Sequence, residues 1–235
     1  MLETDCPLAV RRAVSFCEAL HEGEKEVENV RAVRVRSHDE IERCWDKDEI
    51  AVMVDPHWQT LNAIMPAVSL DAVLAKKNLG TRMNEARLVI GLGPGFVAGK
   101  DAHLVIETNR GHNLGRIITS GEAEPNTGAP GAIAGFAEER VLRAPGSGQF
   151  LSDRNIGECV KNNEIIGVVA GIEVRSRLDG VLRGLIRPNS EVTQGLKIGD
   201  IDPRGERRYC YTISDKARAI GGSVLEAVLR FYNRD

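Results

Sequence analysis

A glycine-rich loop follows an apolar stretch in the middle of the chain. Arg87 to Ile90 reads as a buried strand, and the next residues run Gly91-Leu92-Gly93-Pro94-Gly95-Phe96-Val97-Ala98-Gly99. Glycines after a strand leave backbone N–H groups unshielded, and such groups bind phosphate or another oxyanion. The spacing matches neither nucleotide fingerprint, since Phe96 occupies the last glycine of GxGxxG and Pro94 and Asp101 break a Walker A loop. A tight turn without a ligand is the alternative.

Lysines lie in a comparable place one element earlier. Asp71 to Ala75 reads as a strand, and Lys76, Lys77 and Asn78 follow it. Open α/β sheets bind ligands at the carboxyl ends of their strands, so these residues are expected beside the glycine loop. Two solvated lysines are the alternative.

A carboxylate, a guanidinium and an imidazole end the next strand. Glu107, Arg110 and His112 fall within six residues after the apolar segment that begins at His103. Glu107 and His112 are the candidate acid and base, and Arg110 is a candidate ligand-binding residue. An Arg110–Glu107 ion pair with a capping histidine is the alternative.

Asp200 and Asp202 are a carboxylate pair with spacing suited to a metal. Two residues apart on a strand, they face the same side. The following Pro203-Arg204 favours a turn with a local ion pair, so we predict no metal site. The predicted site residues are Glu107 and His112 as catalytic groups, and Lys76, Lys77, Asn78, Gly91, Gly93, Gly95, Gly99 and Arg110 as ligand-binding or phosphate-binding groups.

The composition restricts the class of protein. The 235 residues are 42% hydrophobic with a net charge of −3, and acids and bases are mixed throughout, which argues against nucleic-acid binding. Five cysteines without CxxC spacing argue against a disulfide framework and a zinc site and indicate a reducing, cytoplasmic protein. Charges at Glu3, Asp5, Arg11 and Arg12 leave no apolar core for a signal peptide, and no membrane span is expected.

The elements that position these residues suggest an α/β region followed by a β domain. Apolar runs at 30–35 and 50–54, separated by helical patterns, predict a partial Rossmann-like parallel sheet over residues 1–135. The breaker-rich stretch from Gly121 to Gly135 predicts the domain boundary. Ser214 or Asp215 is the expected N-cap of a last helix, within residues 213–235, that packs back on the body. Its predicted apolar face comprises Ala217, Ile220, Val224, Val228 and Phe231.

An internal repeat defines residues 136–212. Gly148-Gln149-Phe150 recurs 32 residues later as Gly180-Val181-Leu182, Val160 recurs as Val192, and Ile166-Gly167 as Ile198-Gly199. Two related β units can cover each other's apolar faces, which predicts a domain like the barrel-sandwich hybrid of biotinyl and lipoyl carriers. Those carriers have a modifiable lysine between the repeats, where this chain has Ala170-Gly171-Ile172. Acylation at this junction is therefore not expected.

Several segments together resemble one family. The chain is similar to the YqeB family, whose members are described as selenium-dependent molybdenum hydroxylase system or molybdenum cofactor biosynthesis proteins. The segments that carry the resemblance are PLAVRRAVSF (Pro7 to Phe16), DAVLAKKNLGT (Asp71 to Thr81), VIGLGPGFVAGKD (Val89 to Asp101), VIETNRGHNLGRI (Val105 to Ile117), EPNTGAPG (Glu124 to Gly131), LKIGDIDPR (Leu196 to Arg204) and TISDKARAIGGSVLEA (Thr212 to Ala227).

Members of that family typically open with a strand, a glycine-containing turn of the type RGAGDLATG and a helix. This chain opens at Leu2-Glu3-Thr4, so that βα unit is expected to be absent, through loss or through start-site assignment. An unpaired strand edge would favour a homo-oligomer or a rearranged N-terminus.

The resemblance implies an accessory protein that binds a phosphorylated ligand, the molybdenum cofactor or a nucleotide, and that has a molybdenum hydroxylase or its maturation factors as partners. An enzyme acting on a nucleotide or on a selenium or sulfur donor is the first alternative. A ligand-free docking scaffold is the second. Binding without turnover distinguishes the accessory protein from the enzyme.

Overall fold

The computed structural model describes residues 1–233 and divides the chain into two compact units. Unit 1 combines Met1–His57 with Pro130–Ile213, and unit 2 combines Trp58–Ala129 with Ser214–Asp235. The chain therefore passes from one unit to the other at three places. Two of these places lie near the predicted limits after residues 135 and 212, and the passage after His57 has no counterpart in the sequence prediction.

The first part of unit 1 is a four-stranded sheet with two short helices. Its elements are β1 (Leu2–Glu3), α1 (Ala19–Glu22), β2 (Glu24–Val27), β3 (Val30–Val35), α2 (His38–Trp45) and β4 (Ile50–Val54). The strand order is β1-β4-β3-β2, with β1, β4 and β3 parallel and β2 antiparallel. The predicted strands at 30–35 and 50–54 are confirmed. Ser37 begins α2, because its hydroxyl accepts a hydrogen bond from the Glu40 amide.

Unit 2 contains a second four-stranded sheet. Its elements are α3 (Gln59–Ile64), β5 (Val68–Asp71), β6 (Leu88–Leu92), β7 (Val97–Ala98), β8 (Leu104–Ile106), β9 (Ile117–Ile118) and β10 (Gly121–Glu122). The order is β5-β6-β8-β9, with β5, β6 and β8 parallel and β9 antiparallel, and β7 pairs separately with β10. Every residue of β6 is buried, as expected for an inner strand of a parallel sheet.

The strand predicted at Asp71 to Ala75 is wrong in its position. β5 ends at Asp71, whose carboxylate accepts hydrogen bonds from the Val73 amide and the Thr81 hydroxyl. Leu74 and Lys76 then adopt left-handed conformations with φ of 57° and 64°. A strand cannot continue through such residues, so the apolar run forms an irregular segment.

The second part of unit 1 consists of two four-stranded antiparallel sheets. Its strands are β11 (Val141–Arg143), β12 (Gly148–Leu151), β13 (Cys159–Val160), β14 (Ile165–Val169), β15 (Ile172–Arg175), β16 (Gly180–Leu185), β17 (Glu191–Val192) and β18 (Lys197–Asp202). One sheet has the order β11-β18-β16-β13 and the other β15-β14-β12-β17.

The strand pairing in the two sheets follows the sequence repeat. Gly148 pairs with Val192 between β12 and β17, and Val160 pairs with Gly180 between β13 and β16. Gly148 and Gly180 are equivalent residues of the two copies, and so are Val160 and Val192. The two pairings are therefore equivalent by the repeat. Side chains from equivalent positions share one core, as the pairs Leu142 with Val174, Phe150 with Leu182, Val160 with Val192, and Ile166 with Ile198. Each sheet takes two strands from each copy. Neither copy therefore completes a sheet alone.

The last element is α4 (Asp215–Tyr232), which begins at the predicted N-cap Ser214. Four of its predicted core residues, Ile220, Val224, Val228 and Phe231, pack against the core of the β5-β6-β8-β9 sheet, whereas Ala217 is exposed. The remaining helical elements are 3-10 turns at Arg12–Val14, Phe16–Glu18, Met83–Glu85, Glu138–Arg140 and Arg207–Cys210. The chain is a mixed α/β protein with parallel and antiparallel sheets and a C-terminal helix.

Candidate functional site

The glycine loop of unit 2 leaves the carboxyl end of β6. Gly91 belongs to β6 itself, and the loop proper begins at Gly93, which has φ of 78°, and continues through Gly95, which has φ of 111°. Both conformations are those that glycine adopts without strain. The Gly93 amide donates to the Ile106 carbonyl at 2.8 Å, which holds the loop against β8.

Three of the four predicted loop glycines are required by close contacts. A Cβ atom on Gly91 would lie 2.6 Å from the Phe96 ring, and one on Gly93 would overlap the Thr108 hydroxyl. A Cβ on Gly95 would lie 2.6 Å from the Cα atom of Lys77. Gly99 differs, because no atom lies within 4 Å of its Cβ position and its amide donates to the Ala102 carbonyl at 2.8 Å.

The contact at Gly95 brings two predicted segments together. Lys77 follows β5 and Gly95 follows β6, and their backbones touch at the carboxyl edge of the sheet. The Gly95 amide has no hydrogen-bond acceptor within residues 1–233, whereas the Phe96 amide closes a hydrogen-bonded turn over Pro94 and Gly95. The Lys76 and Lys77 side chains are exposed. A free amide thus adjoins a lysine segment at one place in unit 2.

Asn78 has a different role from its lysine neighbours. Its side-chain oxygen accepts hydrogen bonds from the Gly80 and Thr81 amides, both at 2.8 Å, and its side-chain nitrogen donates to the Thr81 carbonyl at 2.9 Å. The polar atoms of Asn78 therefore stabilise the turn that places Lys77 against the glycine loop.

The predicted acid and base at the end of β8 are not hydrogen-bonded to each other. Glu107 is 2% exposed, and its two carboxylate oxygens accept the amides of Asn109 and Glu124, each at 2.7 Å. His112 is exposed and makes no hydrogen bond to another described residue. Glu107 thus holds two backbone segments together.

The alternative prediction, an Arg110–Glu107 ion pair, is wrong. Arg110 forms a two-pronged ion pair with Asp215 in the first turn of α4, at 2.8 and 3.1 Å. Both side chains are more than one-third exposed, so the pair contributes little to stability. The carboxylate of Glu107 instead accepts hydrogen bonds from backbone amides, and the Arg110 guanidinium pairs with Asp215 of α4.

Lys216 is a residue near this site that sequence reasoning missed. Burial, followed by the charge of Arg110, lowers the pKa of its ammonium group, and the carboxylate of Glu107 opposes that shift. Glu124 is a second missed residue, because hydrogen bonds from Asn109 and Asn113 lower the pKa of its carboxyl group. The only sequence signal was the polar start of α4, and nothing in the sequence links it to Glu107.

The Asp200 and Asp202 pair lies in unit 1, within a buried ion network. Asp200 pairs with Arg140, with Arg183 at 2.8 Å and with Lys197 at 3.5 Å. Asp202 pairs with Arg183 at 3.3 Å and with Arg204 at 2.6 Å, which confirms the predicted local ion pair.

Ionisation within this network follows its geometry. Burial raises the pKa of the Asp202 carboxyl group, but hydrogen bonds from Arg204 and the charge of Arg183 outweigh burial and hold that pKa below its usual value. Burial lowers the pKa of Lys197. Among residues 1–233, no three His, Cys, Asp or Glu side chains are grouped to hold a metal ion.

Comparison with known proteins gives one strong match. The chain is 48% identical, over its whole length, to a protein of Escherichia coli K12 described as uncharacterized protein YqeB. This identity supports membership of the YqeB family. The chain spans only 43% of the length of that YqeB relative, and no family model matches.

Solved structures add only small local overlaps. An aspartoacylase family protein from Mesorhizobium loti is 17% identical, with 27% of this chain and 23% of that chain covered and a TM-score of 0.26. A product-bound ectoine utilization protein, EutE (DoeB), from Ruegeria pomeroyi is 15% identical, with 37% and 28% covered and a TM-score of 0.26. Within residues 1–233 no helix has the length and apolar character needed to cross a membrane.

Proposed function

We propose that this chain binds a phosphorylated small molecule at the carboxyl edge of the β5-β6-β8-β9 sheet. The observation that carries the proposal is the free amide of Gly95, next to the backbone of Lys77. A backbone amide without a protein acceptor is a donor available to an oxyanion, and a nearby ammonium group compensates its charge.

The expected strength comes from charge-assisted hydrogen bonds. A hydrogen bond to a charged group contributes about 1.5–3 kcal/mol, more than a neutral one. The position also fits, because open α/β sheets bind ligands at the carboxyl ends of their strands. Lys76 is a second available cation, and Asn78 supports the site through its turn.

The finer description of the fold is part of the same proposal. We infer that the two mainly parallel sheets are Rossmann-like and that the repeat region is a barrel-sandwich hybrid. The parallel strand pairs support the first inference, and the pairings related by one repeat support the second. The turn between β14 and β15 is Ala170-Gly171, so the domain has no lysine to acylate at this junction.

The proposed biological role is that of an accessory protein in the maturation of selenium-dependent molybdenum hydroxylases. The ligand would be the molybdenum cofactor or a nucleotide, and the partner a hydroxylase or one of its maturation factors. The motifs shared with the YqeB family and the 48% identity to the YqeB relative support this role. A catalytic role for Glu107 and His112 is less well supported, because backbone amides occupy both Glu107 oxygens.

Titration with inorganic pyrophosphate tests the site. Gly95→Val should abolish binding, because its side chain would collide with the Lys77 backbone. Gly99→Val is the matched control, since Gly99 also has a positive φ of 85° but no atom lies near its Cβ position. Lys77→Gln, an exposed change that should not affect folding, should weaken binding by about 1–3 kcal/mol.

Calorimetry on the whole chain measures these affinities. Equal affinity in the wild type, Gly95→Val and Lys77→Gln would reject the site. Mass spectrometry of small molecules that co-purify with the protein would identify the natural ligand. Binding of that ligand without turnover supports the accessory role, and turnover supports the enzyme.

A further inference from the structure

A cleft of about 340 Å³ lies in unit 1, away from every residue predicted from the sequence. Its lining comes from Gly23 after α1, from the end of β3 and the residue after it, from α2, and from the segment between α2 and β4. Clefts of about 300–1,000 Å³ are the usual size for small-molecule sites. All of its lining residues belong to the same unit, which makes the cleft a feature of unit 1 alone.

The charged groups that line this α2 cleft are mostly cationic. Four are basic and two are acidic, namely Arg34, Arg36, Arg43, Lys47, Glu40 and Glu49. Both carboxylates already have partners. Glu40 accepts the Arg36 backbone amide at 2.6 Å, and Glu49 forms an ion pair with Arg31.

The basic side chains are much less committed. Within the described residues, the side chains of Arg36, Arg43 and Lys47 have no carboxylate in ion-pair range, and Arg34 donates one hydrogen bond, to the Leu20 carbonyl at 3.0 Å. Exposed cations are usually solvated on a convex surface, but here four converge on one concavity. The cleft therefore has an excess of positive charge that the protein does not neutralise.

The apolar part of the lining does not oppose an anion. Val35 is 3% exposed and Cys44 is 6% exposed, so both lie beneath the basic groups rather than among them. Burial raises the pKa of the Cys44 thiol, which keeps it uncharged near neutral pH. No thiolate competes with a bound anion.

We propose that the α2 cleft is a second ligand site, which binds a small molecule bearing a phosphate ester. Guanidinium groups present planar pairs of N–H donors that match phosphate oxygens, and an ammonium group adds a mobile point charge. Three uncommitted cations suit a ligand with at least two negative charges. The site is independent of the glycine loop, which lies in unit 2.

Amide NMR spectra of the whole chain, titrated with inorganic pyrophosphate, separate the two sites. Binding in the α2 cleft should shift the amide signals of Val35, Arg36 and Cys44, whereas binding at the glycine loop should shift those of Gly95 and Phe96. The double variant Arg43→Gln, Lys47→Gln should reduce affinity at the cleft about tenfold or more, because charge-assisted hydrogen bonds are lost. Its effect on the Gly95 signals should be negligible.

Lys161→Gln is the matched control, since Lys161 is an exposed lysine of unit 1 that pairs with Asp179 outside the cleft. It should leave both titrations unchanged. The proposal is overturned if pyrophosphate does not shift the cleft amides, or if their titration is the same in the double variant and the wild type. Either result leaves the glycine-loop site to be judged by its own signals.

Discussion

The two copies of the 32-residue repeat share a core but differ on their surfaces. In the core, apolar residues occupy equivalent positions, for example Phe150 and Leu182, or Ile166 and Ile198. Elsewhere the first copy has Leu151 where the second has Arg183, Val168 where it has Asp200, and Ile165 where it has Lys197. The second copy thus carries an ion network at positions that are apolar in the first.

The surroundings of the two copies explain this difference. A Cβ atom on Gly184 of β16 would lie 2.8 Å from the Val10 carbonyl, so an N-terminal segment covers this part of the second copy. The Arg11 guanidinium donates to the carbonyls of Tyr209 and Thr212 nearby. In the first copy, Leu151 and Ile165 are 48% and 39% exposed. The repeat specifies the shared core, whereas neighbouring segments determine which outer face is buried. Charged side chains on a buried face need partners of opposite charge.

Removing the charge of Asp200 should have the largest effect. Asp200 is 1% exposed and pairs with Arg140, Arg183 and Lys197, so Asp200→Asn leaves buried cations without their counter-charge. We expect the free energy of unfolding to fall by about 3–5 kcal/mol, measured by urea denaturation. Val168→Ala at the equivalent position of the first copy is the control, with a loss below about 1.5 kcal/mol. Equal losses would mean that the network does not distinguish the copies.

Adding a methyl group under the N-terminal cover should have an intermediate effect. Gly184→Ala forces the Val10 backbone away, and we expect a loss of about 1–3 kcal/mol in the free energy of unfolding. In Gly146→Ala the nearest atoms to the new Cβ lie 3.8 Å away, so its stability should stay within about 0.5 kcal/mol of the wild type. Thermal unfolding of the two variants compares them directly. A stable Gly184→Ala protein would argue against a tightly packed cover.

Transferring a residue between copies should have the smallest effect. Leu151→Arg places the residue of the second copy at an exposed position of the first, where no aspartate is equivalent to Asp200. The free energy of unfolding should change by no more than about 0.5 kcal/mol. Chemical denaturation measures this change, and Leu182→Ala in the core is the reference variant. Leu182→Ala should lower the free energy of unfolding by about 2–5 kcal/mol. A large loss in Leu151→Arg would show that this face is packed like a core.

The sequence predicted elements with a clear period and missed those that depend on distant contacts. The repeat and α4 were predictable because apolar residues recur regularly, but β11 was missed, although Leu142 and Val174 belong to the same repeat. The prediction of a strand from Asp71 to Ala75 was wrong because residues with left-handed conformations follow Asp71. A run of apolar residues in the sequence does not specify φ.

The candidate site divides in the same way. The approach of Lys77 to Gly95 followed from the rule that parallel strands end at one edge, and the structure places their backbones in contact. The pairing of Arg110 with Asp215 and the position of Lys216 depend on where α4 packs. The cationic α2 cleft was also missed, because its basic residues are interspersed with acidic ones in the sequence and only the fold shows which carboxylates are occupied.

The passage of the chain between units has a consequence for biosynthesis. Met1–His57 is synthesised before Trp58–Ala129, yet the rest of its unit begins only at Pro130. Because domains fold as units, the nascent N-terminal sheet must wait through the synthesis of residues 58–129 before its partner segment exists. Unit 2 waits as well, since α4 is synthesised after Pro130–Ile213. A ribosome that pauses before residue 130 would therefore expose two unfinished units at once, a state in which chaperones would be expected to bind.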